Sequence, residues 1–554
     1  MSPSNTATTG ASGNGAEGAA AVLQAWGVRQ VFGVPGGHNL PLFAAIEAEG
    51  IEAVGARHEQ GAGFLAEAFA KLAGCCGVVV TTAGPGITNT LTPLAQANAE
   101  SVPLCVLALD NYAETLSEPD GTFHAISDLR SASEPFAHWA GTAQTPDEVA
   151  PLVDRALRLA ASTSRPAIVQ LPSDMLTKPT QNVAALPAPG ESAPAPGEEH
   201  LDALASLLRE ADRPILFTGA GAVRSGAQAE VLELAQTLGA PVVTTVQGRG
   251  IIPEDHELAL GPVWDRFGPR DEIACAADLV VCLGTSLAPL ATRNGGLPLG
   301  RMVHVDIDPS RPGRLYKPEL AIRGDVKDVL RRLLDRRSAG LGATAERGSF
   351  VKESLEHVTR WHASFRSGAP LIADLLDGIR EGSPRETAFV SDMTVVGYWA
   401  QRFLPVYASG GLISPYYFGT LGYGVPAAVG AKVAVGDAPV VALCGDAGFL
   451  MNSQEMATSN LHDLPVHVVL FNDNGYGAVH ADVRRNRLPE LSVARITNPS
   501  FELLAQAYGW RYQKTEADRA QIAEALGSSI GEGASSITEV IVPSSLAMPY
   551  EIAW

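Results

Sequence analysis

The stretch Val440–Gly477, VVALCGDAGFLMNSQEMATSNLHDLPVHVVLFNDNGYG, decides how this chain is read. Val440–Leu443 is an apolar, β-branched run, the pattern of a strand buried on both faces. Gly445-Asp446-Ala447-Gly448 turns the chain at the strand's end, and residues 452–461, with Glu455, Met456 and Ala457, favour a helix. Pro465 follows, and Val466–Phe471 forms a second buried strand that runs out into Asn472-Asp473-Asn474-Gly475. Such a strand–helix–strand unit has a right-handed crossover and parallel strands. Asp446 and Asp473 then stand at carboxyl ends of strands, the edge at which open α/β sheets bind ligands. Neighbouring strands lie roughly 4.8 Å apart, so the two carboxylates can reach one small cation. Hard oxygen ligands suit Mg²⁺ or Ca²⁺, and Mg²⁺ usually brings phosphates. The glycines admit backbone N–H groups to those phosphates, and the helix N-terminus beyond Gly448 favours the same charge. Gly-Asp and Asn-Gly also make ordinary solvated turns. Local chemistry leaves both readings open.

Outward from this unit, 554 residues exceed what one core can use and imply about three domains. A hydrophobic content of 46% with 18% charged residues describes a globular chain. The formal net charge of −20 argues against nucleic acid or an anionic membrane as partner. No run approaches about 20 apolar residues, so no membrane span is expected. The first 17 residues are rich in Ser, Thr and Gly and lack a basic or apolar leader, which reads as a disordered tail and not a signal peptide. The six cysteines (75, 76, 105, 275, 282, 444) show no paired metal-ligand spacing, and most sit in apolar runs. Buried free thiols in a reducing cytoplasm are the expectation.

Helices and short apolar strands alternate throughout. A helix over 18–27 leads to strand Val31–Val34 and the turn Pro35-Gly36-Gly37; Ala53–Ala56, Val78–Thr82 and Leu104–Leu109 are further strands of a parallel sheet buried on both faces. Glu59, in Ala-Arg-His-Glu-Gln-Gly, sits at a strand-to-helix junction, where a carboxylate is favoured by the helix dipole alone. Gly84-Pro85-Gly86-Ile87-Thr88-Asn89 is a tight turn with capping residues for the helix that follows. His124, after Phe123, and His38 lie in loops, where a histidine is either a solvated residue or a proton donor. Pro-rich residues 184–199 mark a linker. Domain two then carries strands Pro214–Thr218, Pro241–Thr245, Leu279–Leu283 and Met302–Ile307, and Gly219-Ala-Gly is at most half of a dinucleotide fingerprint. A second linker covers 336–350, and Asp392-Met393-Thr394 follows strand Phe389–Ser391 in domain three. The expected division is a tail over 1–17 and domains over 18–180, 200–335 and 351–554.

Gly445-Asp446-Ala447 followed by Asn472-Asp473 resembles the thiamine-diphosphate motif, which usually reads Gly-Asp-Gly and Asn-Asn. The similarity runs over nearly the whole chain, to the group of acetolactate synthase, pyruvate oxidase and benzoylformate decarboxylase. Ala447 and Asp473 depart from the usual pattern, although Asp473 can still ligate Mg²⁺. Gly419-Thr420-Leu421-Gly422-Tyr423-Gly424-Val425-Pro426-Ala427 is similar to that group's Gly-Thr-Met-Gly-Phe-Gly-Leu-Pro-Ala, and the Arg57-His58-Glu59-Gln60 stretch to one in acetolactate synthases. The resemblance implies three doubly wound α/β domains: pyrimidine-binding, Rossmann-like and diphosphate-binding.

It further implies that Glu59 protonates the cofactor's aminopyrimidine, with His124 a candidate proton donor where synthases have glutamine. Asp446, Asp473 and the Gly475 carbonyl would hold Mg²⁺. Gly36, Pro85, Asn89, Thr394, Gly419, Leu421, Gly445, Ala447, Gly448 and Tyr476 would line the cofactor site, Leu421 as the wedge beneath it. Active sites shared between subunits make a homodimer the minimum and a homotetramer compatible. FAD, which acetolactate synthases and pyruvate oxidase carry in the middle domain, is open but disfavoured: Gly284-Thr285-Ser286-Leu287 replaces their Arg/Asp-rich stretch. The implied reaction is decarboxylation of a small 2-oxo acid, the enamine then being protonated to an aldehyde or ligated to a second carbonyl. Acetolactate synthesis is the alternative; a non-catalytic nucleotide-binding relative and an NAD-dependent dehydrogenase are the remote ones.

Overall fold

The computed structural model of the chain describes residues 13–116, 121–181, 195–263, 268–336 and 340–551. Residues 1–12 of the expected tail, residues 182–194 and 337–339 of the two expected linkers, and residues 552–554 lie outside the described residues. The tail reading fails from Gly13 onward. Asn14 and Glu17 close a reciprocal capping box, each side chain accepting the other's backbone N–H at 3.0 Å, and start a helix at Gly15–Ala25. Alanine-rich residues behind such a cap form a helix however polar the segment before it. Likewise, Thr344 caps a helix at Ala345–Gly368 that begins inside the expected second linker.

The chain forms two compact units, one of residues up to 191 except 71–74, the other of those four and everything from 192. The first unit holds a six-stranded parallel sheet: β1 (Gln30–Gly33), β2 (Glu52–Gly55), β3 (Gly77–Thr81), β4 (Leu104–Asp110), β5 (Trp139–Thr142) and β6 (Ala167–Pro172), in the order β2-β1-β3-β4-β6-β5. β3 and β4 are buried along their whole length, as their unbroken apolar runs require.

The second unit holds two more such sheets. The first comprises β7 (Pro214–Thr218), β8 (Val242–Thr244), β9 (Ala259–Gly261), β10 (Leu279–Leu283), β11 (Arg301–Asp306) and β12 (Leu320–Arg323), ordered β9-β8-β7-β10-β11-β12. The second comprises β13 (Ala388–Ser391), β14 (Leu412–Ile413), β15 (Val440–Gly445), β16 (His467–Asn472), β17 (Arg511–Glu516) and β18 (Ser536–Ile541), ordered β14-β13-β15-β16-β18-β17. The three-sheet α/β architecture is as the sequence implied.

Every sheet reverses its strand order between two neighbouring strands near its start: β1 and β3, β7 and β10, and β13 and β15. These are the topological switch points where the loops leave a crevice. The Val395–Phe403 helix, which overlooks the last of them, is fixed by a buried ion pair. Arg249 donates to Glu254 through Nε (2.6 Å) and to the Ala400 carbonyl through Nη1 (2.8 Å), and Glu254 accepts the Val406 N–H at 3.0 Å.

The expected helix over 452–461 is interrupted. A first helical turn starts directly at Asp446 (Asp446–Met451), the chain breaks at Asn452, and the helix resumes at Met456–Leu461. The cause is local. Asn452 turns its side chain to the Gly422 carbonyl at 2.8 Å, which commits its backbone to a non-helical conformation. The cysteines also differ from expectation: Cys105, Cys282 and Cys444 are buried, whereas Cys75 and Cys275 are exposed.

Candidate functional site

At the switch point between β13 and β15 lies a cavity of about 230 Å³. Its walls include every third-domain residue that the sequence nominated: Thr394, Gly419, Leu421, Gly445, Asp446, Ala447, Gly448, Asp473, Gly475 and Tyr476. The fold explains the convergence. Thr394 follows β13, Gly445 ends β15 and Asp446 opens the next helix, while Asp473 follows β16. Leu421 is 37% exposed, held out into the crevice instead of packing in the core.

The oxygen atoms here are gathered as a cation would require. Asn498 Nδ2 donates to Asp446 Oδ2 (2.7 Å), Asn472 Oδ1 (3.1 Å) and Asn474 Oδ1 (3.3 Å), so one electropositive group already sits among three oxygens. Burial raises the Asp446 carboxyl above its ordinary range against the donors around it. Burial, and then the charge of Asp446, pushes Asp473 up to about 6. A buried and a half-buried carboxylate, the second disfavoured by the charge of the first, are the donor set for a hard divalent cation. The residues present therefore fit Mg²⁺ with a diphosphate.

Asp392 is a site residue that sequence reasoning missed. Its buried carboxylate accepts the N–H groups of Met393 (2.7 Å) and Gly424 (2.9 Å), tying β13 to the loop that bears Gly419 and Leu421. It also packs beneath Gly448, where an added Cβ would lie 3.3 Å from Asp392 Oδ2. Burial pushes the carboxyl up to about 6, although four backbone N–H groups pull it down. Asn498 was missed as well. Neither residue belongs to a motif; each acts by reaching a distant loop.

Tyr398, Ala478 and Asp482 border this cavity and also a second one of about 320 Å³, whose other walls include Arg402, Arg485 and Tyr550. Tyr550 donates its hydroxyl to Asp482 Oδ1 at 2.8 Å. The C-terminal segment lies against this domain: Trp399 Nε1 donates to the Ala547 carbonyl at 2.8 Å, and Leu546 lines the first cavity.

In the first unit the nominated residues also meet. Asn89 Nδ2 donates to Glu59 Oε2 at 3.0 Å, so the Pro85–Glu100 helix orients the carboxylate at the head of the Glu59–Ala73 helix. Gly36 lies against Thr82; a Cβ there would sit 2.8 Å from Thr82 Oγ1. His124 packs over Gly84, the residue before Pro85, whose φ of +61° and lack of room both demand glycine.

The middle domain's switch point is closed. Gly219 and Gly221 donate their N–H groups to the carbonyls of Leu283 and Gly284, both at 2.9 Å. A Cβ on Gly219 would lie 2.4 Å from the Gly284 oxygen. The backbone after β10 packs directly against this turn.

Among the described residues, no helix is long and apolar enough to cross a membrane. The sequence matches the thiamine pyrophosphate enzyme N-terminal TPP-binding domain over residues 13–131, the central domain over 201–333 and the C-terminal TPP-binding domain over 392–540. A probable 2-ketoarginine decarboxylase of Pseudomonas aeruginosa is 33% identical over 546 residues, covering 98% of this chain and 95% of the relative. A probable acetolactate synthase large subunit of Methanocaldococcus jannaschii is 31% identical, covering 97% and 93%. The acetolactate synthase isozyme 1 large subunit of Escherichia coli is 30% identical, covering 92% and 90%. With three matched domains and relatives of 30% identity or more along nearly its whole length, the chain belongs to the thiamine-pyrophosphate-dependent enzymes, in the group of the acetolactate synthase large subunits.

Proposed function

We propose that this enzyme decarboxylates a 2-oxo acid with thiamine diphosphate and Mg²⁺, and that the carbon which loses CO₂ is either protonated to an aldehyde or joined to a second carbonyl. The observation that carries the reading is the crevice holding Asp446, Asp473 and Gly475 together with Gly419 and Leu421. When bound, the cofactor supplies the carbon nucleophile and the electron sink for loss of CO₂. Asp446 and Asp473 hold the metal with the Gly475 carbonyl, and Gly445–Gly448 receive the diphosphate at the start of the Asp446–Met451 turn. Leu421 supports the cofactor from below. Glu59, oriented by Asn89, exchanges a proton with the aminopyrimidine. His124 is the proton donor on the substrate side.

A homodimer or homotetramer and a cytoplasmic location belong to the same reading and rest on the family resemblance. The closed turn at Gly219 supports a middle domain that holds no flavin there. For the substrate, the relative named for 2-ketoarginine directs attention to Asp482, a carboxylate at the junction of the two cavities. A cationic tail extending from the reacting carbon would meet it there.

The test is CO₂ release and product analysis with pyruvate, 2-ketoarginine and 2-oxo acids of neutral or anionic tail, with and without an added aldehyde. Release of CO₂ that depends on thiamine diphosphate and Mg²⁺, with an aldehyde or mixed acyloin as product, is the expected result. Efficient acetolactate formation from pyruvate alone would install the second reading, acetolactate synthase, which the relatives from M. jannaschii and E. coli support.

A further inference from the structure

Glu539 is a buried carboxylate in the middle of β18, the strand between β16 and β17. The register pairs Leu470 with Glu539 and Asn472 with Ile541, which puts Asn472 and Glu539 on one face of the sheet. Tyr512, paired with Ile537 from the other side, joins them on that face. Glu539 accepts Asn472 Nδ2 at 2.7 Å through Oε1 and the Tyr512 hydroxyl through Oε2. Among the described residues no cation forms an ion pair with it, and its cross-strand neighbour Lys514 is exposed. For packing alone, a buried carboxylate held by neutral donors is a more expensive choice than an apolar side chain.

Its place is explained by what it does to Asn472. A carboxylate accepts and a backbone N–H donates, so the amide has one orientation: Nδ2 toward Glu539 and Oδ1 away from it. On that far side Oδ1 accepts the Asn474 N–H and Asn498 Nδ2, both at 3.1 Å. The first bond closes a turn over Asn472-Asp473-Asn474, the side-chain oxygen standing in for a backbone carbonyl. Within it Asn474 takes a φ of +54°, a left-handed conformation that asparagine adopts more readily than most residues. The turn aims the Gly475 N–H at the carboxyls of both Asp446 and Asp473. The second bond places Asn498, which also donates to Asp446 Oδ2 at 2.7 Å. A flipped amide would set Nδ2 against two donors and Oδ1 against a carboxylate, so both ends oppose the flip. The charged acceptor on Nδ2 also polarises the amide and strengthens Oδ1 as an acceptor.

We propose that Glu539 is a positioning residue for the divalent cation: by holding the Asn472 amide in one orientation, it fixes the turn that presents the Asp473 carboxylate and the Gly475 carbonyl to the metal. Glu539 does not line the cavity itself and acts only through Asn472, 67 positions earlier in the chain. The inference rests on the metal reading above.

The test is binding of Mn²⁺, in place of Mg²⁺, to the full chain with thiamine diphosphate, read from the electron paramagnetic resonance signal of the free ion. Glu539→Leu removes the acceptor and should weaken Mn²⁺ binding by about tenfold, the usual size for a group behind a metal ligand. Glu539→Gln can still accept the Asn472 N–H and should stay within about threefold of wild type. Tyr512→Phe removes the other bond to Glu539 and should lower the thermal midpoint while Mn²⁺ affinity holds. Where Glu539→Leu does not fold, Asn472→Asp takes its place, because two facing carboxylates also cancel the orientation. Adding Glu539→Gln to Asn472→Asp restores one donor facing one acceptor and should recover the affinity of Glu539→Gln. Wild-type affinity in Glu539→Leu, or in Asn472→Asp where that variant stands in, overturns the positioning role. So do losses in Glu539→Gln or Tyr512→Phe as large as that in Glu539→Leu, which would mark a general loosening of the sheet. A wild type that binds no Mn²⁺ with thiamine diphosphate overturns the metal reading itself, and this inference with it.

Discussion

The second and third sheets share a doubly wound plan with a reversal of strand order, yet at that reversal the third holds a cavity while in the second two loops touch. In the third domain Asp392 gathers the Gly424 N–H, and a cavity of about 230 Å³ lies at the reversal. In the middle domain the loops after β7 and β10 meet backbone to backbone through Gly219, Gly221 and Gly284. Topology offers a crevice at each switch point. The residues at the strand ends differ: in the third domain a buried carboxylate recruits the N–H of a distant loop, and in the middle domain glycines without Cβ let two loops touch.

The hardest way to break that comparison is to remove the open crevice's charge. Asp446→Ala should weaken Mg²⁺-dependent binding of thiamine diphosphate by about 100-fold or more, since a metal ligand counts for more than the groups behind it. Equilibrium dialysis of the full chain reads the effect. Retained binding would mean that the diphosphate sits elsewhere.

Asp392 comes next. Asp392→Ala orphans the N–H groups of Met393 and Gly424 inside the protein and should cost about 2–4 kcal/mol in urea unfolding, with looser cofactor binding. Asp392→Asn separates charge from shape. The native carboxyl titrates near 6, above its ordinary value, so its linkage contribution is fully present below about pH 4 and is lost as pH rises toward 6. Wild-type stability should therefore fall by about 3 kcal/mol relative to Asp392→Asn across that window, as a shift of about two units requires. Parallel stability curves for the two proteins between pH 4 and 7 would mean that Asp392 stays charged throughout.

How much of this could be read in the sequence follows from where each interaction lies along the chain. The strands were legible because Val440–Leu443 or Leu279–Leu283 are apolar without interruption, as burial on both faces demands. The third-domain site was legible because its residues fall in short motifs at strand ends. Asp392 and Asn498 were not, since each is defined by a loop more than 20 residues away. The break at Asn452 was hidden for the same reason: helix propensity favours residues 452–461, and only the Gly422 carbonyl overrides it. The closed turn at Gly219 looked like half a nucleotide site because sequence shows the glycines and not what they admit.

That turn gives the third test. Gly219→Ala places a methyl 2.4 Å from the Gly284 oxygen, so the loops must part, at about 1–3 kcal/mol of stability. Thiamine diphosphate binding should be unchanged, and neither wild type nor variant should retain a flavin through gel filtration after incubation with FAD. A wild type that elutes with flavin absorbance would place the flavin away from this turn and weaken the decarboxylase reading.

The smallest effect sharpens the account of the open crevice. Asn498 donates to Asp446, Asn472 and Asn474 from the position that suits a cation. Without Mg²⁺, Asn498→Ala removes the donor that offsets the buried Asp446 carboxylate and should cost about 1 kcal/mol of stability at neutral pH. With saturating Mg²⁺ and thiamine diphosphate, the ion meets the need of those oxygens and the variant's deficit should shrink toward zero. Thermal unfolding of both proteins, with and without the cofactor pair, measures the difference of differences. A deficit of the same size in both conditions would mean that the amide and the cation occupy separate places, and that the oxygens around Asn498 hold a loop and not a metal.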